Sequence, residues 1–511
     1  MVFHKNNLLR FIAFALIVFF LVGIALLMRN SGLLYFTDTV SYLDMTDRIN
    51  KGFFPHSDSF SPGYPFLMAM VSKLFSTSEI QTVYTTSFIL IFSVFCVLYQ
   101  LIKSFIDNKD QFSFKSFILV FILLANWLLL KIILTAHADL FFLFLLSLYF
   151  LGLVKWLFFE EKNGFYLLLT TIVLSVWIKY NAIVLVPFSI LSIFFYGKKK
   201  TIQYAFPIVI LLIAFCCSYA LFKQINGTVI QHLQPDSFSV KISKSIQNLS
   251  LLSSNYSLSG KVFLGAVFSK SLELLIPKSV ATLFMFVLTF LFIYMLTSTI
   301  KRREKENIFL FFSFFYWVIF YALCQYTGWE EINARTLFPS ILTMLIWLFL
   351  QQNKSKLIGK RFINAVIAIS VLYSLCYVVI LNRSEQNKFL NHLSDFKHKK
   401  IVQNFIERGK QNNFAGNIFS NDARNISFAL GHIKVNDYPK KKLFQRGKFR
   451  EISEREFSMK QAEFCNQFST HTSALLIFND TLDAYIDSCL KNTATKIIKS
   501  ENDILIIHAE Y

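Results

Sequence analysis

Asp38, Asp44, Asp47 and Asp58 crowd into residues 35–67 of a chain that is otherwise apolar and basic, with 51 Lys and Arg against 31 Asp and Glu. That stretch ends in Ser61-Pro62-Gly63-Tyr64-Pro65 and runs straight into further apolar sequence. Acidic groups beside a bilayer are required neither for insertion nor for packing. A carboxylate there can take a proton from a hydroxyl nucleophile or ligate a divalent cation. Taken singly, each aspartate also fits an ordinary solvated turn, because Asp and Ser are favoured there. It is the ordered combination of acid, aromatic and Ser-Pro-Gly-Tyr-Pro that points to chemistry. A second polar feature is Lys179-Tyr180-Asn181, which interrupts the apolar run 165–196. A charge inside such a run is costly, so a lysine held there points to function, against the alternative of a side chain that snorkels or pairs with a helix carbonyl.

The elements that position these residues are membrane helices. Hydrophobic residues make up 55% of the 511-residue chain and 60 of them are Phe, more apolar sequence than a soluble core of this size can bury. Residues 8–28 follow Lys5 and Arg10 and read as a retained signal anchor with a cytoplasmic N-terminus. Further spans are expected near 80–102, 116–134, 138–158, 202–222, 279–300, 308–324, 335–351 and 362–381. Split at Lys179, the run 165–196 gives two helices too short for a hydrocarbon core of about 30 Å, and predicts a hairpin with a polar apex. Counting it as two passes makes about eleven. Short loops rich in Lys and Arg, such as Lys198-Lys199-Lys200 and Lys301-Arg302-Arg303, then fall on the cytoplasmic side. Loops 29–61 and 223–278 fall outside. The net charge of +20 is thus accounted for by orientation and implies no nucleic acid.

Residues 1–381 are therefore read as an all-α polytopic domain, and 382–511, where composition turns soluble, as a small extracytoplasmic α/β domain. Strands are expected at 417–420, 474–478 and 504–508, with helices over 401–408, 422–430 and from 478 to 490. Of the seven cysteines, Cys465 and Cys489 alone lie in polar sequence and are candidates for a disulfide in an oxidising compartment.

In order along the chain, these features resemble the GT-C superfamily of integral-membrane glycosyltransferases, in particular its bacterial protein-O-mannosyltransferase-like and aminoarabinose-transferase-like members. Asp38, Tyr42 and the 61–65 stretch match the first external loop of that family, and Asp139 matches its second acid. Lys179-Tyr180 matches a basic residue beside an aromatic, and Arg335 with Pro339 matches the opening of a late span. Ile418-Phe419-Ser420-Asn421-Asp422 resembles the start of the extracytoplasmic domain. His137 departs from the family pattern.

The resemblance implies a bacterial inner-membrane enzyme that moves a sugar from a polyprenyl-phosphate donor to an extracytoplasmic acceptor, a lipid, glycan or protein. On this reading Asp38 and Asp139 are the catalytic acids, with Asp38 the base that deprotonates the acceptor. Lys179 and Arg335 stabilise the charge that grows on the leaving phosphate. Tyr42, Tyr64, His137 and Tyr180 line the substrate cavity. A divalent metal, Mg or Mn, held by Asp38, His137 and Asp139 is left open. The alternatives are a multi-pass lipid or polysaccharide transporter, which would favour duplicated halves not visible here, and an inactive assembly subunit of the same fold.

Overall fold

The computed structural model describes, with interruptions, residues 12–26, 37–53, 61–106, 114–133, 138–197, 201–226, 249–267, 275–302, 304–326, 332–351, 361–376, 402–406, 416–430, 435–451, 454–478, 495–500 and 503–508. The chain divides into two compact units, Met1–Gly32 with Arg48–Gln386, and Leu33–Asp47 with Asn387–Tyr511.

The first unit is helical. Helix α1 (Thr37–Asn50) falls mostly in the second unit, and the first unit continues from its last turn with α2 (Gly63–Phe75), α3 (Glu79–Ile106), α4 (Phe114–Leu124) and α5 (Trp127–Ile133). There follow α6 (Ala138–Phe159), α7 (Lys162–Ile178), a 3-10 turn (Tyr180–Val184), α8 (Leu185–Tyr196) and α9 (Thr201–Asn226). The series ends with α10 (Leu249–Val267), α11 (Lys278–Arg302), α12 (Asn307–Tyr326) and α13 (Phe338–Gln351).

Among the described residues, 2 helices are long and apolar enough to cross a membrane, within α3 and along α6, and the bent pair α4–α5 makes up to 3. Most of the other apolar helices are shorter, 10–17 residues, so the expected count of about eleven spans is not reached by this measure. The anchor 8–28 and the span 362–381 lie largely outside the described residues.

Three expectations are corrected. The acidic stretch within 29–61 is a helix, α1, and not a loop. Thr39, Tyr42, Leu43 and Thr46 are buried at helical spacing, and the Thr46 hydroxyl donates to the Tyr42 carbonyl at 2.7 Å. The segment 223–278 contains α10, which packs on α11. A methyl group on Gly260 would lie 2.2 Å from the Ala281 carbonyl oxygen, so only glycine permits that crossing. The span expected at 116–134 bends by 64° between α4 and α5. Asn126 makes the bend, accepting from the Leu128 amide at 3.0 Å and donating to the Ala266 carbonyl at 3.3 Å.

The broken run at 165–196 is present as two helices of 17 and 12 residues, about 26 and 18 Å at about 1.5 Å per residue. Both fall short of the hydrocarbon core of about 30 Å. Helices α6 and α7 are joined by Glu160 and Glu161 into an antiparallel hairpin. A methyl on Gly152 would sit 2.8 Å from the Leu168 nitrogen, and one on Gly164 2.8 Å from the Gly152 carbonyl oxygen. That crossing sets the register of the hairpin, and with it the height of the α7 end relative to the α6 start. Beside it, Phe150, Phe188, Phe309 and Phe312 pack with ring centroids 4.9–6.4 Å apart. The phenylalanine-rich composition thus forms a shape-specific core where small-residue seams are few.

The second unit is α/β. Its five-stranded sheet has the order β2 (Val435–Asp437), β1 (Asn417–Ser420), β5 (Ser473–Ile477), β7 (Asp503–His508), β6 (Thr495–Ser500). Strand β1 runs parallel to both β2 and β5, and β7 antiparallel to β5 and β6. A separate hairpin pairs β3 (Lys442–Gln445) with β4 (Lys448–Glu451). Both faces of the sheet are covered. Ala474 and Leu476 meet Val402, Phe405 and Ile426, while Leu475 and Ile477 meet Phe464 and Phe468 of α14 (Glu454–Thr470). All of β5 is buried, which is why it reads as an unbroken apolar run. Strands β2, β3, β4, β6 and helix α14 have too weak an apolar pattern to be read from sequence. The stretch expected to be helical after β5 lies outside the described residues.

Candidate functional site

Three chain breaks in the first unit meet at one carboxylate. Asp139 occupies the first turn of α6, where the exposed amides of a helix N-terminus favour a negative charge. Its side chain is only 4% exposed. Lys179 directly follows α7, in extended conformation (φ −155°, ψ 129°), with its amide donating to the Ser175 carbonyl at 3.0 Å. The 3-10 turn begins immediately after it, and the Ala182 amide donates back to the Lys179 carbonyl at 3.0 Å. Held between two helical segments, Lys179 sends its ammonium to Asp139 Oδ1 in a direct charge-assisted hydrogen bond.

Arg335 arrives from a turn ahead of α13. Asn333 and Thr336 bond reciprocally there, the Thr336 amide to Asn333 Oδ1 at 3.0 Å and the Asn333 amide to Thr336 Oγ1 at 3.1 Å. This is the logic of a capping box, and it presents Arg335 at a defined angle. Tyr316, fully buried, reaches the Thr336 carbonyl at 3.3 Å and ties the turn to α12. Arg335 Nε then lies 3.7 Å from Asp139 Oδ2.

A buried carboxylate requires a cation, and this one has two. The trio carries a net charge of +1. Lys179 is 12% exposed and Arg335 33%, so both cations are more accessible than the aspartate they meet. Such an arrangement can take an anion with phosphate-like oxygens, with Asp139 holding the two cations in place.

The other candidates are distributed differently. Asp38 lies in the first turn of α1, and its side chain is outside what is described, as are those of His137 and Tyr180. Tyr42 is buried in α1, and Tyr64 is buried in the first turn of α2. Of the proposed set, the structure therefore brings Asp139, Lys179 and Arg335 together, while Asp38 and Tyr42 belong to the second compact unit. Asp139 faces an ammonium and a guanidinium, while the side chains of Asp38 and His137, the other two residues considered for a divalent metal, lie outside the described residues. Among the described residues no group of three His, Cys, Asp or Glu side chains is placed to hold an ion. Sequence reasoning missed the Asn333–Thr336 box. The signal was there in Asn333-Ala334-Arg335-Thr336, a polar pair three apart ahead of an apolar run.

A mostly helical unit with short broken helices, joined to a small mixed α/β unit, is the fold of the GT-C membrane glycosyltransferases, and this chain has it. The crystal structure of ArnT from Cupriavidus metallidurans bound to undecaprenyl phosphate superposes with a TM-score of 0.54, at 8% sequence identity, over 97% of this chain and 98% of that one. An archaeal oligosaccharyltransferase, AglB from Archaeoglobus fulgidus in complex with an inhibitory peptide and a dolichol-phosphate, overlaps 96% of this chain and 74% of its own. Its TM-score is 0.49 at 12% identity, and the fold assignment rests on ArnT. No family profile and no curated protein sequence matches the chain.

Proposed function

We propose that this chain is a membrane glycosyltransferase that moves a sugar from a polyprenyl-phosphate carrier to an acceptor outside the cytoplasm. The observation that carries the reading is the convergence of Lys179 and Arg335 on the buried Asp139 at the end of a broken helix. As the glycosidic bond breaks, negative charge accumulates on the leaving phosphate, and a cation pair already placed beside it stabilises that charge with little reorganisation. Asp139 is then a positioning group. Its carboxylate, engaged by two cations, is poorly suited to accept a proton, which leaves Asp38 as the base for the acceptor hydroxyl.

The second unit is read as extracytoplasmic. Cys465 of α14 is disulfide-bonded, as suits an oxidising compartment. The proposed location is a bacterial inner membrane, with the N-terminus on the cytoplasmic side.

The test uses undecaprenyl phosphate as the probe. The purified protein in lipid nanodiscs should bind it, and Lys179→Met should weaken that binding by about ten- to a hundredfold, the worth of one charge-assisted contact of about 1.5–3 kcal/mol. Unchanged affinity in Lys179→Met would remove the phosphate assignment. A deletion strain complemented with wild type, but not with Lys179→Met, should recover its envelope glycans by mass spectrometry.

A further inference from the structure

The start of α2 packs against the end of α7, directly ahead of Lys179. Gly63, the first residue of α2, is packed so closely on the end of α7 that a Cβ there would lie 2.4 Å from Ile178 Cδ1 and 2.7 Å from the Trp177 carbonyl oxygen. The first neighbour is the tip of a side chain and can rotate away. The second is backbone, and it belongs to the last turn before Lys179. Around the contact the chain is fixed on both sides. Ser61 and Tyr64 are buried, and α2, whose Met68 and Ala69 are also buried, packs along α3 and α7. On the other side, the Lys179 amide is tied to Ser175. Neither partner can yield without moving the α7 end.

We infer that Gly63 is a positioning residue for Lys179: its missing side chain lets α2 seat the last turn of α7 so that the ammonium meets both Asp139 and the donor phosphate. This rests on the phosphate reading above. In the Ser61–Pro65 stretch, the prolines direct the chain back into the apolar region, and the glycine between them sets how near it comes to the α7 end. A methyl at 63 would push the Trp177 carbonyl by a few tenths of an ångström or more, and displacements of that order in a preorganised site lower function well before they unfold a protein.

The experiment is a mutant cycle read by undecaprenyl phosphate affinity and thermal midpoint. Gly63→Ala should weaken binding by about three- to tenfold, part of the loss expected on removing the ammonium altogether. In a Lys179→Met background, Gly63→Ala should cost nothing further within about twofold, because a residue that acts through Lys179 has nothing left to displace. General packing damage would instead multiply the two losses. Ile178→Ala alone should bind normally. Should Gly63→Ala fold poorly, Gly63→Ala with Ile178→Ala removes the side-chain clash, keeps the carbonyl clash and should show the same loss. Full multiplication of the losses, or normal affinity in Gly63→Ala beside a defective Lys179→Met, would overturn the inference. Normal affinity in Lys179→Met itself would remove the phosphate reading and this inference with it.

Discussion

Pairing Lys179→Met with Asp139→Asn separates the structural duty of the ion pair from its chemical one. Lys179→Met leaves Asp139, 4% exposed, with Arg335 as the cation at 3.7 Å. With an effective dielectric of about 20, that contact is worth about 4 kcal/mol of attraction before desolvation. It therefore compensates only part of the loss. Breaking a buried pair by removing one member costs about 3–5 kcal/mol in general. With Arg335 still present and Lys179 itself 12% exposed, about 2–3 kcal/mol is expected here, seen as a lowered thermal midpoint in detergent. Asp139→Asn added to Lys179→Met removes the stranded charge and should restore most of that midpoint. It should not restore binding of undecaprenyl phosphate, because the ammonium is still missing. Asp139→Asn alone raises the cluster from +1 to +2 and should bind the lipid phosphate at least as tightly, while a looser Lys179 lowers turnover. Recovery of phosphate affinity in the double variant would refute the reasoning, for it would mean that Lys179 does no more than neutralise Asp139.

Asp38→Asn keeps shape and removes the proton acceptor, so envelope glycan transfer in a complemented deletion strain should be lost while membrane insertion and undecaprenyl phosphate binding persist; normal glycans would take the base assignment away. Gly152→Ala should lower the thermal midpoint, since its methyl would meet the Leu168 nitrogen at 2.8 Å, and should also weaken phosphate binding by shifting α7 along α6; Gly23→Ala, where nothing lies within 4 Å, is the control and should do neither. Peptide mapping without reduction should recover Cys465 cross-linked to Cys489, a residue outside the described set, and a free Cys465 thiol would contradict it.

Legibility in the sequence followed the strength of the hydrophobic contrast. The break at Lys179 was readable because a charge inside an apolar run is costly, and α7, the 3-10 turn and α8 fall where the split predicts. Strand β5 was readable because a central strand, buried on both faces, must be apolar throughout. Helix α1 was not. Its buried face is built from Thr39, Tyr42, Leu43 and Thr46, half of them polar, and its acids read as turn residues. Helix α10 was hidden by its serines, which lower its contrast although Val262, Phe263 and Ala266 are fully buried. Arg335 could be marked in sequence only through the family resemblance, and its meeting with Asp139 lies beyond local pattern, with almost two hundred positions between them.

The three partners share a feature that explains why the site is built from interruptions. Within the apolar layer a continuous helix spends every backbone group on itself and offers only side chains, most of them apolar. A helix end frees amides and carbonyls and turns the chain, so a charged side chain can leave the helix surface and face a cavity. Asp139 follows one such end, Lys179 sits between two, and Arg335 precedes a third. The cost of each break is met locally, by the Ser175–Lys179 and Lys179–Ala182 bonds on one side and the Asn333–Thr336 box on the other. Because the cations are mounted on backbone held by these bonds, less reorganisation is needed to present them, and on the function proposed above that is the condition under which they would best stabilise a departing phosphate.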